Sequence, residues 1–329
     1  MKLGIMGSGD IVSSMLELFA KLDAYQCEAL FCRKVSENRG RKLVNKFGIG
    51  KLYLTIEDFL ADKSFDTVYV AVINNYHYEY CKRALLAGKN VICEKPFTVT
   101  YEQALELSLI AKQYNLMIYE LSRNVLTKAY SNIKTNLIKI GKVSQFTASL
   151  CHYSRRYDDY QNGIIAPVFD ASKAGGALYD FGIYALHFVV GLFGKPNSVR
   201  YDDIKGIDGV DLAGTLILKY DQLIASINLS KISNAPAYFC IQGEKGYIHS
   251  NSAMMFIQEV LLCSKDHIES IATKNHNVVY EELLEIEKMF REKDHKQLNK
   301  YIHDTLICIE IIDGIKRRGI DEDKANIDE

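Results

Sequence analysis

Short apolar runs alternate with amphipathic stretches from the first residues to about position 120, and this alternation restricts what the N-terminal part of the chain can become. Leu3 to Met6 reads as a strand. Ile11 to Leu22 reads as a helix with Met15, Leu18, Phe19 and Leu22 on one face. A strand follows from Glu28 to Cys32, then a helix from Ser36 to Phe47 opened by a Ser N-cap. Thr67 to Val72 is a strand, and Tyr78 to Ala87 a helix stopped by Gly88. Asn90 to Cys93 (strand), Tyr101 to Tyr114 (helix) and Leu116 to Tyr119 (strand) complete the series. Strands that are apolar throughout are buried on both faces, so the pattern predicts a doubly wound parallel sheet, the Rossmann form of the α/β class.

The period changes after about residue 122. A helix is expected from Lys128 to Lys139, followed by two-residue alternation over Val143–Tyr153, Asp211–Tyr220, Leu223–Leu229 and Tyr238–Gln242. Tyr220-Asp221-Gln222 and Gly243-Glu244-Lys245-Gly246 read as hairpin turns, with closing helices at Tyr280–Arg291 and Leu298–Arg317 and a frayed polar tail after Gly319. This is an α+β domain with a large, mostly antiparallel open sheet. A chain of 329 residues has room for two domains, placed at 1–121 and 122–329. A formal net charge of −1 supplies no field for a polyanion. No stretch approaches the apolar length of a membrane span, and the apolar run before Gly7 is too short for a signal peptide. Nucleic acid and membrane are therefore not expected partners. The eight cysteines include no C-x-x-C pair, so no metal site is expected, and buried reduced thiols point to a cytoplasmic protein.

Gly7-Ser8-Gly9-Asp10-Ile11-Val12 joins the first strand to the first helix. One glycine allows a tight turn, the next lets backbone approach a pyrophosphate, and the helix N-terminus offers N–H groups to it. Val12 stands where a third glycine is usual. The second strand ends in Phe31-Cys32-Arg33-Lys34, two cations with no acid. A carboxylate there would favour the ribose hydroxyls of NAD, whereas Arg33 and Lys34 suit a 2′-phosphate, so NADP(H) is expected, with NAD possible.

Glu94-Lys95-Pro96 ends the strand that begins at Asn90, where an open parallel sheet binds ligands. The Lys95 ammonium can hydrogen-bond a substrate oxygen and assist its proton transfer. Further on, Gly175-Gly176 precedes a stretch expected to be helical, which places Asp180, Tyr184 and His187 at i, i+4 and i+7 on one face. The small residues before them allow a cofactor or sheet to come close.

Together these segments resemble the Gfo/Idh/MocA family, the glucose-fructose oxidoreductase and inositol dehydrogenase group. The likeness also includes Asn74-Asn75-Tyr76-His77, Ala87-Gly88-Lys89 before the Glu-Lys-Pro segment, and Gly243-Glu244-Lys245-Gly246-Tyr247. It implies that Lys95 is catalytic with Asp180, Tyr184 and His187 as partners. It also implies that Val72, Asn74, His77, Glu94 and Lys95 itself lie beside the cofactor, with Cys32 and Arg33 at its NADP-selecting end. Tyr184 makes the chain most similar to the dimeric dihydrodiol dehydrogenase branch. A homodimer or homotetramer through the second-domain sheet is implied by resemblance alone.

The expected activity is hydride transfer between NADP(H) and a hydroxyl or carbonyl carbon of a sugar, polyol or dihydrodiol. Lys95 and Tyr184 would handle the proton, with His187 competing for Tyr184's part and Asp180 orienting. The alternative reading is a catalytically silent NADP(H)-binding regulatory protein, which would have no use for a proton relay.

Overall fold

The computed structural model describes residues 1–265, 267–272 and 277–325, with side chains as far as Arg318. The chain divides into two compact units. One is Met1–Leu121 together with Leu283–Leu306, and the other runs from Ser122 to Glu282 and resumes at Ile307. Sequence periodicity marks the break at 121/122 but carries no sign that residues 283–306 return to the first unit.

In the first unit, strands β1 (Lys2–Met6), β2 (Gln26–Phe31), β3 (Lys51–Tyr53), β4 (Thr67–Val70), β5 (Asn90–Glu94) and β6 (Ile118–Leu121) form one sheet. Their order is β3-β2-β1-β4-β5-β6, and every neighbouring pair is parallel. Helices α1 (Asp10–Phe19), α2 (Glu37–Phe47), α3 (Ile56–Ala61), α4 (His77–Leu86) and α5 (Tyr101–Gln113) make the connections. The three-residue β3 and six-residue α3 are too short to show a period and were not anticipated. The Ser36 side chain caps nothing; α2 is entered through a 3-10 turn, Lys34–Ser36. Ile5, Leu30 and Ile92 are fully enclosed at the centre of the sheet beside Tyr69, and each of these aliphatic side chains contributes about 1.5–3 kcal/mol. The chain reverses its direction of travel between β1 and β4, and such a switch point opens a ligand crevice beyond the strand ends.

In the second unit, α6 (Lys128–Asn136) precedes β7 (Val143–Cys151), α7 (Arg156–Gln161) and α8 (Ile183–Phe193). Strands β8 (Ser198–Lys205), β9 (Asp211–Lys219), β10 (Ile224–Ser230), β11 (Tyr238–Gly243), β12 (Gly246–Ser250), β13 (Val260–Ser264) and β14 (His267–Ala272) follow. The eight-stranded sheet has the order β14-β13-β12-β11-β7-β10-β9-β8. Only β7 and β10 pair in parallel among its neighbours. Both expected hairpins are present; in one, Tyr220 N–H donates to Leu223 O at 2.8 Å. Alternation puts Phe146, Ile227, Phe239 and Ile241 on one buried face. There Phe188 of α8 packs with ring centroids 4.9 Å from Phe239 and 5.8 Å from Phe146. Helix α9 (Val278–Glu292) belongs to this unit only as far as Glu282, and α10 (His295–Ala325) from Ile307 onward; α10 continues past Gly319, where fraying was expected.

The stretch before α8 is not α-helical throughout: Leu178–Gly182 is a π turn. The helical run Ala171–Phe193 is long and apolar enough by composition to cross a membrane, contrary to the sequence expectation, but 72% of its most apolar window is buried inside the protein. It is the core helix on which the sheet packs. All eight cysteines are unbridged thiols.

Candidate active site

The glycine turn is built by close approach. Gly7 N–H donates to Phe31 O at 2.9 Å, which ties the turn to the end of β2. Gly7 has φ +121°, and a Cβ there would lie 2.2 Å from the Ala71 carbonyl oxygen, so no other residue fits. Gly9, the N-cap of α1, differs: a Cβ on it would meet nothing within 4 Å, and no side chain caps the first turn of the helix. First-turn N–H groups beside open space are what a pyrophosphate requires. Val12, in place of a third glycine, is wholly buried.

A cavity of about 410 Å³ opens beside this turn. Among the residues picked from sequence, Gly7, Ser8, Gly9, Ile11, Cys32, Arg33 and Val72 line it. Asp10 does not; it pairs with Arg39 at 3.1 Å. Lys34 does not either, and pairs with Glu37 at 2.5 Å. The second cation on the cavity wall is Arg39, accompanied by Ser36, Tyr76 and Tyr80, all missed from sequence. Ser36 and Arg39 are three residues apart at the start of α2, a spacing that puts them on one face and could have found them.

The Lys95-Pro96 turn at the end of β5 has a cis peptide bond and is fixed by buried groups. Glu94 accepts a hydrogen bond from the Tyr69 hydroxyl at 2.7 Å, and Glu120 accepts one from Phe97 N–H at 2.8 Å. The His77 ring lies between two carbonyls, with Nδ1 2.7 Å from Pro96 O and Nε2 3.1 Å from Val72 O. Burial pushes the His77 pKa down, against the pull of those carbonyls, and a neutral imidazole donates to only one of them. His77 thus links the loops that follow β4 and β5. Asn74, in the 3-10 turn Asn74–Tyr76, and Lys95 are half-buried. Asn74, His77, Glu94 and Lys95 do not line the 410 Å³ cavity.

In the second unit the two glycines admit protein rather than ligand. A Cβ on Gly175 would lie 2.7 Å from Pro167 O, and one on Gly176, at φ +110°, would lie 2.2 Å from Asp211 Oδ1. Asp211 is fully buried and accepts hydrogen bonds from Leu178 N–H at 2.6 Å and the Tyr201 hydroxyl at 3.0 Å. It is also ion-paired with Lys316. Asp211 anchors the start of the π turn, a role the sequence did not reveal because Asp211 lies at the start of β9.

Asp180 sits in that turn and Tyr184 and His187 in α8, so the single α-helical stripe expected from spacing is broken between 180 and 184. The Asp180 side chain is 29% exposed and paired with Lys231. Tyr184 and His187 are only 2% and 3% exposed. The Tyr184 ring faces the Arg123 guanidinium at 5.9 Å, and its carbonyl accepts from Asn124 Nδ2 at 2.9 Å. Arg123 is held in turn by its N–H to Glu282 at 2.8 Å.

Residues 1–121 match the model of an oxidoreductase family with an NAD-binding Rossmann fold, and residues 138–249 match the GFO/IDH/MocA C-terminal domain. The chain is 34% identical over 247 residues to scyllo-inositol 2-dehydrogenase (NADP(+)) IolU of Bacillus subtilis, covering 75% of each protein. It is 28% identical over 276 residues to trans-1,2-dihydrobenzene-1,2-diol dehydrogenase of Xenopus laevis, covering 80% of this chain and 79% of that one. Its fold is similar to that of KijD10, a 3-ketoreductase from Actinomadura kijaniata crystallised with NADP and TDP-benzene. That match has a TM-score of 0.83 and 21% identity, over 96% of this chain and 97% of the other. The chain is an enzyme of the Gfo/Idh/MocA oxidoreductase family, and residues 1–121 are its NAD-binding Rossmann domain.

Proposed function

We propose that the enzyme transfers hydride between NADP(H) and a hydroxyl or carbonyl carbon of a sugar, polyol or dihydrodiol-like substrate. The observation that carries the cofactor choice is the wall of the 410 Å³ cavity, where Arg33, Ser36 and Arg39 stand and no acid does. Two guanidinium groups and a hydroxyl suit a 2′-phosphate. The relative named as an NADP(+)-dependent inositol dehydrogenase supports the same choice and the substrate class.

When bound, the nicotinamide accepts or delivers the hydride. The chain's own residues do the rest. The first-turn N–H groups after Gly9 and the Ser8 backbone would hold the pyrophosphate, and Val72 and Asn74 the nicotinamide end, with the buried His77 and Glu94 fixing the turns behind them. The Lys95 ammonium would donate a hydrogen bond to the substrate oxygen and, with the Tyr184 phenol, carry its proton. Asp180 would accept from a neighbouring substrate hydroxyl. His187, buried one turn after Tyr184, is the rival proton carrier; comparing Tyr184→Phe with His187→Asn separates them.

Titration of the purified protein with NADPH and NADH tests the cofactor reading. Much tighter NADPH binding is expected; equal affinities would make Arg33 and Arg39 surface cations only. A second copy of the chain would dock on the open sheet face. Ile224, Gln145, Gln242, Tyr247, Cys263 and Ile268 form one cross-strand row there, and Ile224, Tyr247 and Ile268 are exposed. Light scattering checks this, and a monomer at working concentration would count against it.

A further inference from the structure

We infer that Lys231 is a positioning residue for this reaction: its ammonium holds the Asp180 carboxylate turned outward, as an acceptor for a substrate hydroxyl. The inference rests on the substrate-orienting part given to Asp180 above. It comes from an inverted ion pair. Lysine stems usually lie along the surface with the ammonium in water, and lysines are almost never enclosed. Here the Lys231 side chain is 2% exposed, while its partner Asp180 keeps 29%. The cation is inside and the acid faces out.

The ammonium is held from several directions. Lys231 follows β10 directly, its N–H donates to Leu212 O at 2.9 Å, and its carbonyl accepts from Ser154 N–H at 2.9 Å. The ammonium lies 5.2 Å from the Phe169 ring centre and 5.0 Å from that of Phe181. Phe169 in turn belongs to an apolar cluster with Tyr160, Val210 and Leu212. A cation between two aromatic faces on a pinned backbone has little freedom except toward the acid.

The Asp211–Lys316 pair of the same unit is arranged the opposite way. Asp211 is the buried partner of Lys316, and its oxygens meet Leu178 N–H and the Tyr201 hydroxyl, so that acid serves the fold. A site walled by Phe169 and Phe181 would hold Met or Leu without the cost of taking an ammonium out of water, and because the Asp180 side chain is 29% exposed, water takes up the charge that a fully enclosed partner would be left holding. Keeping a lysine there is explained by what the charge does for the exposed carboxylate. An ionised carboxylate facing an ammonium accepts hydrogen bonds and has no proton to give, which leaves proton transfer to Lys95 and its partner.

The test is a mutant cycle on the full-length enzyme with NADP+ and whichever polyol or sugar it oxidises. Wild type, Lys231→Met, Lys231→Gln, Lys231→Arg, Asp180→Asn and the double variant Lys231→Met/Asp180→Asn are compared in kcat, KM, NADPH affinity and Tm. Lys231→Met and Lys231→Gln should lower kcat/KM on the order of 100-fold, the loss that follows when an orienting group is misplaced. Tm and NADPH affinity should stay near wild type. Lys231→Arg should recover part of the rate. In the double variant the lysine change should cost nothing beyond Asp180→Asn, because both act through one pair. Unchanged kcat/KM in both Lys231→Met and Lys231→Gln, or full additivity in the double variant, would overturn the inference while leaving the proposed function standing. A fully active Asp180→Asn would overturn the inference and the part given to Asp180 together.

Discussion

Removing the Arg33 guanidinium should change which cofactor the enzyme prefers without dismantling the site. Arg33 is solvent-exposed and lines the cavity beside Ser36 and Arg39. A hydrogen bond to a charged partner is worth about 1.5–3 kcal/mol. Exposure and salt screening reduce that to about 1–2 kcal/mol, or roughly 5- to 30-fold in Kd. Arg33→Ala should therefore weaken NADPH binding by that factor and change NADH binding by less than roughly twofold, since NADH has only a hydroxyl at that position. Arg39→Ala should act in the same direction, and it also uncovers toward the phosphate the Asp10 carboxylate that Arg39 meets at 3.1 Å. Reduced-nicotinamide fluorescence reads both affinities directly, and the chain has no Trp to complicate the signal. The NADPH loss should shrink as salt is raised. Equal losses for NADPH and NADH in Arg33→Ala, or no loss for either, would refute the assignment of Arg33 to a phosphate.

Gly7→Ala places a Cβ 2.2 Å from Ala71 O at a φ of +121°; backbone strain alone costs about 1–3 kcal/mol. A lowered Tm with loss of NADPH binding is expected, and an alanine variant that binds normally would contradict the close-approach argument. Gly176→Ala drives the added methyl to 2.2 Å from the buried Asp211 carboxylate. It should destabilise the protein by roughly 3 kcal/mol in denaturant titration; a loss under about 1 kcal/mol would show that the turn can move aside. His77 predicts a pH effect. Burial holds its folded pKa below the unfolded value of 6.5, so below that pH the unfolded chain takes up a proton that the folded protein resists. Stability should fall as pH drops under about 6.5, by at most about 1.4 kcal/mol per pH unit. The slope should flatten in His77→Asn, and an identical slope in that variant would assign the effect elsewhere.

What was legible in the sequence follows from distance along the chain. The strand-turn-helix at Gly7 and the long apolar strands of the first sheet are local patterns, and the observed elements fall within a few residues of the expected ones. The second sheet was visible as alternation in β7, β9, β10 and β11. It was not visible in the short β12, β13 and β14, nor in β8, whose Arg200, Asp202, Asp203 and Lys205 make an edge strand look like a loop. The candidate site was harder because its supports are remote. Asp211 reaches Leu178 across 33 positions, and Lys316 reaches Asp211 across 105. A π turn carries the same residues as an α turn, so the shift between Asp180 and Tyr184 had no local signature. Lys231 reads as one more surface lysine until the fold encloses it. Lys34 illustrates the reverse, a cation in the expected place whose side chain turns to Glu37 while Arg39, on the next helix, reaches the cavity wall.

The central claim is that Lys95 serves the chemistry rather than cofactor binding. The most direct test is NADP+ reduction by wild type and Lys95→Met on a panel of sugars, polyols and dihydrodiols, with NADPH affinity measured for both proteins. The account predicts turnover by the wild type, a loss of about 10²–10⁴-fold in Lys95→Met, and nearly equal NADPH affinities. Undiminished turnover in Lys95→Met would contradict it.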